Sequence, residues 1–247
     1  MDTGEENLIS VNGIRAVLFD LDGTLRHNDP SSTETFFDYA VKLGAADSAV
    51  RRKSATRWTH YYWAQSPEML ADLEHFQSVS AEFWTFYTER TLIKFGCTPL
   101  QAKALAPEVH RCMAEEYKPR DIVREDVIPA LETLKSAGFS LGVVSNRDEP
   151  FEDYLASLNL YRHFDLTLAA GEINAWKPEP EIFLYAVQQF NLAPGQALYV
   201  GDNYYADILG AREAGLQPVL LDSDQVFPNP GCPVIHKISD LLPLLEK

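Results

Sequence analysis

Two aspartates one residue apart, in Phe19-Asp20-Leu21-Asp22-Gly23-Thr24, follow a short apolar run and present an electrostatic problem. Like charges this close repel unless a cation or a proton is shared between them. The pair therefore suggests a divalent metal, one ionised carboxylate acting as ligand or nucleophile, and one carboxyl that carries a proton. Taken alone, Asp-x-Asp-Gly is also an ordinary solvated turn, and an EF-hand loop is excluded because Gly23 and Thr24 fall at the wrong places in the spacing. Three further signals occur downstream. Ser145-Asn146 offers a hydroxyl and amides suited to phosphoryl oxygens. Lys177-Pro178 offers a cation on a constrained backbone, and Gly201-Asp202-Asn203 is followed by a second carboxylate, Asp207.

Each signal follows a segment that reads as an element end. Apolar runs at 14–20, 139–144, 166–168, 197–200 and 218–221 are too short for helices and are flanked by turn residues. Helix-period segments separate them at 126–137, 150–158, 179–190 and 204–214. Strands alternating with helices predict an α/β fold, a Rossmann-like parallel sheet covered by helices on both faces. Ligands of such sheets gather beyond the carboxyl ends of the strands, where Asp20, Ser145 and Asp202 stand. Residues 26–122 break the rhythm. They show no strand-like run but long helical periods at 33–43, 48–63, 80–95 and 100–117, and read as an inserted all-helical cap domain. The predicted domains are thus a discontinuous core of 1–25 with 123–247, and a cap of 26–122.

Composition narrows the function classes. The 247 residues carry a net charge of −15, which gives no general attraction to nucleic acid or anionic lipid. The acidity sits almost wholly in the core, since 26–122 hold 12 basic and 13 acidic residues and the remainder 9 and 23. No apolar run is long enough for a membrane helix, and the acidic start, MDTGEENLIS, is unlike a signal peptide; a cytoplasmic protein is expected. Cys97, Cys112 and Cys232 are too few and too scattered for a disulfide framework or a zinc site. Gly138-Phe-Ser140-Leu-Gly142 matches the nucleophile-elbow pattern, but its serine opens a strand instead of following one, so a serine hydrolase is rejected.

The order FDLDGTL, SN, KP and GDNYYAD resembles the four motifs of the haloacid dehalogenase superfamily. The match spans 14–25 and about 123–222, with an insertion after the first motif like that family's helical cap. The resemblance implies that Asp20 is a nucleophile forming an aspartyl-phosphate and that Asp22 is the acid and later the base. It implies that Thr24, Ser145 and Asn146 hold phosphoryl oxygens and that Lys177 orients Asp20. It further implies Mg2+ bound by Asp20, the Asp22 carbonyl and Asp202, with Asp207 ligating through water or behind them. The aspartate at 22 implies phosphate-ester chemistry on a small phosphorylated metabolite, because a halide needs no protonation and dehalogenases of the family lack it. A phosphomutase of the beta-phosphoglucomutase type would keep the same residue and remains the alternative; a dehalogenase or a non-catalytic binding protein is less consistent with the motifs. Within the cap, which holds 14 of the 28 aromatic residues, Lys53, Arg57 and Tyr61 share one face of a basic helix at i, i+4 spacing. Arg57 and Tyr61 are the candidates there for substrate specificity. A monomer or homodimer is expected, with no nucleic-acid or membrane partner.

Overall fold

The computed structural model describes residues 13–245; the acidic N-terminal start lies outside them. The chain divides into two compact units, one of residues 13–27 with 122–245 and the other Asn28–Asp121. Where the chain crosses between them, β2 (His27–Asp29) and β3 (Arg120–Ile122) pair as a two-stranded sheet. This corrects the expectation that 26–122 lack strands: three-residue strands reading His-Asn-Asp and Arg-Asp-Ile carry no apolar signature to detect.

The first unit is a six-stranded sheet in the order β5 (Leu166–Ala169), β4 (Ser140–Ser145), β1 (Ala16–Phe19), β6 (Ala197–Gly201), β7 (Gln217–Leu221) and β8 (Val234–Ile235). All neighbours are parallel. Every residue of β1 and β6 is buried, as expected of strands covered on both faces. Alternation along the strands divides the core. Val17, Phe19, Leu141, Val143, Leu198 and Val200 pack on one face with Leu131 and Leu134 of α6 (Val127–Ser136). Ala16, Leu18, Val144 and Tyr199 pack on the other with Ile182, Phe183 and Ala186 of α9 (Pro180–Gln189). The five sequence-read strands are β1 and β4 to β7; β8, two residues long, escaped the pattern.

Between β4 and β6 run α7 (Glu152–Ser157) and α8 (Ala170–Ile173), and after β6 a π-helical turn, Tyr204–Leu209, leads into α10 (Gly210–Glu213). The chain closes with α11 (Leu241–Leu245). Among the described residues no helix is long and apolar enough to cross a membrane, and all three cysteines are buried and unbridged.

The second unit holds α1 (Ser32–Lys42), α2 (Ala49–Trp63), α3 (Pro67–Phe76), α4 (Ala81–Lys94) and α5 (Pro99–Glu115). Serine or threonine caps start most of them: the Ser31, Ser66, Ser80 and Thr98 side chains accept from backbone N–H groups of the first turn. The sequence reading passed over α3, although Ser66-Pro67 is a start signal of this kind. Its core has two parts, one around Phe37, Leu92, Phe95 and Val109 and one around Trp58, Tyr62, Met69 and Phe83. In the second part Arg90 bonds Asp72 at 2.8 Å and Glu68, and Tyr62 donates to Asp72 at 2.9 Å. A buried carboxylate is thereby paired, which offsets its desolvation.

His27, at the crossing, is largely buried, and burial, reinforced by the Arg124 guanidinium, lowers it to about 4. Its Nε2 has no hydrogen-bond partner among the described residues. The unfolded chain titrates near pH 6.5, so as pH falls through that value the unfolded state takes up a proton that the folded state refuses. Stability should drop by about 2 kcal/mol between about pH 8 and 5 from this group. Urea denaturation of His27→Gln should show a correspondingly shallower loss over that range, and identical pH dependences would contradict the assignment.

Candidate active site

The sheet order places the site. β1 lies between β4 and β6, with Phe19 in register with Val143 and Val200, and the chain switches direction of travel across the sheet at this point. Asp20 continues the pairing by donating its N–H to Val200 O at 2.9 Å. Its side chain is buried at the strand's carboxyl end. The chain then turns tightly, with Leu25 and Arg26 N–H groups both donating to Leu21 O. Gly23 has φ +96°, and a Cβ there would strike the Asp202 carboxylate. Glycine is required twice over, by backbone angle and by space.

Lys177 holds this end of the sheet together. Its ammonium donates to Asp20 Oδ1 at 2.6 Å, Asp207 Oδ1 at 2.7 Å and the Tyr199 hydroxyl at 3.0 Å, all buried. Tyr199 passes its own hydrogen to Val144 O at 3.1 Å. Burial opposes the charge on Lys177, but Asp20 and Asp207 outweigh it and hold the ammonium well above its usual range. Asp207 also accepts the Asn203 N–H at 2.9 Å, and Gly201 leaves room for its carboxylate. Asn203 caps the π turn, accepting from Tyr205 and Ala206 N–H groups at 3.0 and 3.1 Å.

Asp20, Asp202 and Asp207 each offer an oxygen within 4.8 Å of the others. Burial, opposed by Lys177 and reinforced by Asp207, pushes Asp20 up to about 7. Burial, then repulsion from Asp20 and Asp207, raises Asp202 well above the carboxylate range. Three converging carboxylates against one ammonium leave negative charge uncompensated. Such a set of hard oxygen donors fits a small divalent cation.

The structure treats the remaining sequence-read residues differently from one another. Ser145 is buried at the end of β4, where it forms the last pair with β5, opposite Ala169. Asn146 uses its side chain as a clamp, donating to Lys177 O at 2.9 Å and accepting Lys177 N–H at 2.7 Å. Thr24, expected to touch phosphate, is fully buried and gives its hydroxyl to Asp202 at 3.3 Å; its partner is the carboxylate, because the turn folds it inward. Asp22 stays outside the cluster, 40% exposed, accepting Arg26 at 3.3 Å and Arg147 at 2.9 Å. In the helical unit Arg57 and Tyr61 lie on α2, where Tyr61 packs against the aromatic cluster. Arg52, beside them in sequence, is taken up by Glu34, Asp38 and Asp47.

Sequence reasoning did not reach Tyr199, Asn203 or Arg147. Tyr199 is hidden in an apolar strand, and Asn203 carries the ordinary signature of a cap. Arg147 directly follows Ser145-Asn146, and that adjacency was the available signal.

The family model for haloacid dehalogenase-like hydrolases matches residues 14–215. The chain belongs to this family of hydrolases. The mouse haloacid dehalogenase-like hydrolase domain-containing protein 3 is 35% identical over 130 residues, a match spanning about half of each chain (50% of this one, 52% of that). A phosphoserine phosphatase of Thermus thermophilus is 28% identical over 85% of this chain and 89% of its own. An (S)-2-haloacid dehalogenase 4A of Burkholderia cepacia is 27% identical over 96% and 97%. Among solved structures, a predicted phosphoglycolate phosphatase from Haemophilus somnus shares the fold with a TM-score of 0.57 at 20% identity, over 95% of this chain and 99% of that one.

Asn146→Ala removes both bonds that fix the Lys177 backbone. It should cost about 2 kcal/mol in urea unfolding, the sum of two hydrogen bonds in a half-buried setting. A change below about 0.5 kcal/mol would show that Lys177 is placed without this clamp.

Proposed function

We propose that the chain is a magnesium-dependent phosphomonoester hydrolase that works through an aspartyl-phosphate on a small phosphorylated metabolite. The observation that carries this reading is the division of labour between two aspartates. Asp20 is buried and bonded to Lys177, whereas Asp22 is held outside the carboxylate cluster with its side chain accessible. The contrast supports a nucleophile in Asp20 and, in Asp22, a group that exchanges a proton with a leaving group and with water.

On this reading an Asp20 oxygen attacks phosphorus in line, and the bond from phosphorus to the ester oxygen breaks. Asp22 delivers a proton to that oxygen. Asp22, now a carboxylate, takes a proton from water as the water attacks phosphorus, and the bond to Asp20 breaks to release inorganic phosphate. Lys177 orients Asp20 and offsets the charge of the transferring group, with the Ser145 hydroxyl and the Asn146 N–H as oxygen ligands. Asp20 and Asp202, with Asp207 beside them, would hold the magnesium. When bound, the ion neutralises phosphoryl charge that an acidic domain would otherwise repel. The names of the Thermus and Haemophilus proteins support phosphate esters as substrates. The Burkholderia protein's name points to dehalogenation, a reaction in which Asp22 would have no proton to deliver.

Hydrolysis of p-nitrophenyl phosphate should stop on exhaustive chelation and return with magnesium. Undiminished turnover without metal would refute the proposal. Asp20→Asn should abolish phosphate release. Asp22→Asn should lose roughly 10²–10⁴-fold on an alkyl phosphate and less on the p-nitrophenyl ester, whose leaving group needs little protonation. Equal losses on both in single-turnover measurements would remove Asp22 from the acid role.

A further inference from the structure

Tyr199 has no part in the steps above, yet it carries a hydroxyl into a face where phenylalanine would pack as well. On β6 it stands in register with Leu18 of β1, and Leu18 with Gly142 of β4. Its ring is fully buried in a cluster with Ala16, Leu18 and Val144 and meets Phe183 edge-on at 4.8 Å. The hydroxyl donates to Val144 O, two residues beyond Gly142. The side chain therefore reaches from β6 over β1 to the carboxyl end of β4. A hydroxyl taken into an apolar cluster costs free energy unless it is bonded, and this one both donates and accepts.

Donors and acceptors balance without remainder at Lys177. An ammonium has three N–H donors, and those of Lys177 go to Asp20 Oδ1 at 2.6 Å, Asp207 Oδ1 at 2.7 Å and the Tyr199 oxygen at 3.0 Å. Two carboxylates alone would leave the ammonium free to swing about the line between them, and the hydroxyl supplies the third point that stops it. Because the Tyr199 hydrogen is committed to Val144 O at 3.1 Å, its oxygen can only accept from Lys177. The direction of that bond is thereby fixed.

We propose that Tyr199 is a positioning residue for phosphoryl transfer: its hydroxyl holds the third N–H of Lys177, and the ammonium so fixed sets the rotation of the Asp20 carboxylate that attacks phosphorus. This rests on the phosphatase reading and deepens it, since it states how the nucleophile is aimed. Asp207 anchors the ammonium from the side of the π turn, its other oxygen tied to the Asn203 N–H at 2.9 Å. Tyr199 anchors it from the sheet. An orientation set in this way governs the reacting geometry, where small misplacements cost rate, and leaves substrate binding to other groups. Loss of the hydroxyl should therefore appear in the chemical step and spare binding.

The experiment compares the wild type with Tyr199→Phe, which keeps the ring and removes the hydroxyl, in two measurements. In the first, kcat for p-nitrophenyl phosphate and for ethyl phosphate, each checked in single turnovers with magnesium present, should fall about tenfold, the worth of one hydrogen bond. KM, and inhibition by inorganic phosphate, should stay within about twofold. A like loss on both esters marks an effect on the nucleophile. A loss confined to ethyl phosphate would belong to protonation of the leaving group, and a loss carried by KM would belong to Val144 and the end of β4; either overturns the proposal, as does an unchanged rate. The second measurement needs neither metal nor turnover: NMR relaxation of the lysine ammonium groups in nitrogen-labelled protein reads rotation about the Cε–Nζ bond, with the Lys177 signal identified by its absence from Lys177→Arg. Rotation should be hindered in the wild type and about tenfold faster in Tyr199→Phe. Free rotation in the wild type overturns the proposal with no variant required, and so does rotation that Tyr199→Phe leaves unchanged. If the wild type hydrolyses neither ester, the phosphatase reading fails by itself; rotation freed by Tyr199→Phe then still supports Tyr199 as the group that fixes Lys177, and unchanged rotation overturns it.

Discussion

A single buried ammonium makes the rest of this site tolerable. Asp20, Asp202 and Asp207 converge where three chain segments meet at the carboxyl end of the sheet, and without Lys177 their mutual repulsion would sit in a desolvated pocket. Much of the local architecture is explained as service to that cation. Tyr199 turns its hydroxyl from within an apolar face to give Lys177 a third acceptor. Asn146 holds the lysine's backbone from the neighbouring strand end. Gly23 and Gly201 give up their side chains so that Asp202 and Asp207 can lie against the main chain. The arrangement is costly to desolvate.

Three of the four motifs were legible because each joined a short apolar run to residues with few structural uses there, whereas Lys177-Pro178 lies beyond α8, eight positions past the end of β5. Asp20, Lys177, Asp202 and Asp207 come together in space as their positions in the chain implied. What could not be read was which part of a residue is used. Asn146 was legible as a residue near the site, but whether its amide side chain or its N–H serves is set by the position of Lys177, 31 residues away. That the Thr24 hydroxyl meets Asp202 was hidden for the same reason, since the turn that sends it there depends on Gly23 lying against a carboxylate 179 positions on. The missed strands, β2, β3 and β8, are short and polar or nearly featureless, so their pairing comes from tertiary context, with no periodicity to reveal it.

The helical unit solves a related problem with different means. Its aromatic residues, abundant in the sequence, are largely consumed in its own core: Trp58, Tyr62 and Phe83 pack together, with Arg90 lying over the Trp58 and Tyr62 rings while it neutralises Asp72. On α2, Arg52, which lies off the face of Lys53, Arg57 and Tyr61, is committed to three carboxylates.

The central place of β1 has a further consequence for how the protein comes apart. Sheets fray from their margins, and local openings spread inward from weakly paired edges. Here the margins are β5 and the two-residue β8, while the strand that carries Asp20 is hydrogen-bonded on both sides to β4 and β6. Amide hydrogens of Val17 to Asp20 are therefore expected to exchange among the last, through openings that cost nearly the whole free energy of unfolding. Asp22 and Arg147 lie on the turns just beyond the strand ends, bonded to each other. Asp20 is thus tied to the global stability of its unit through pairing on both sides of its strand, and Asp22 with Arg147 belongs to the turns that follow.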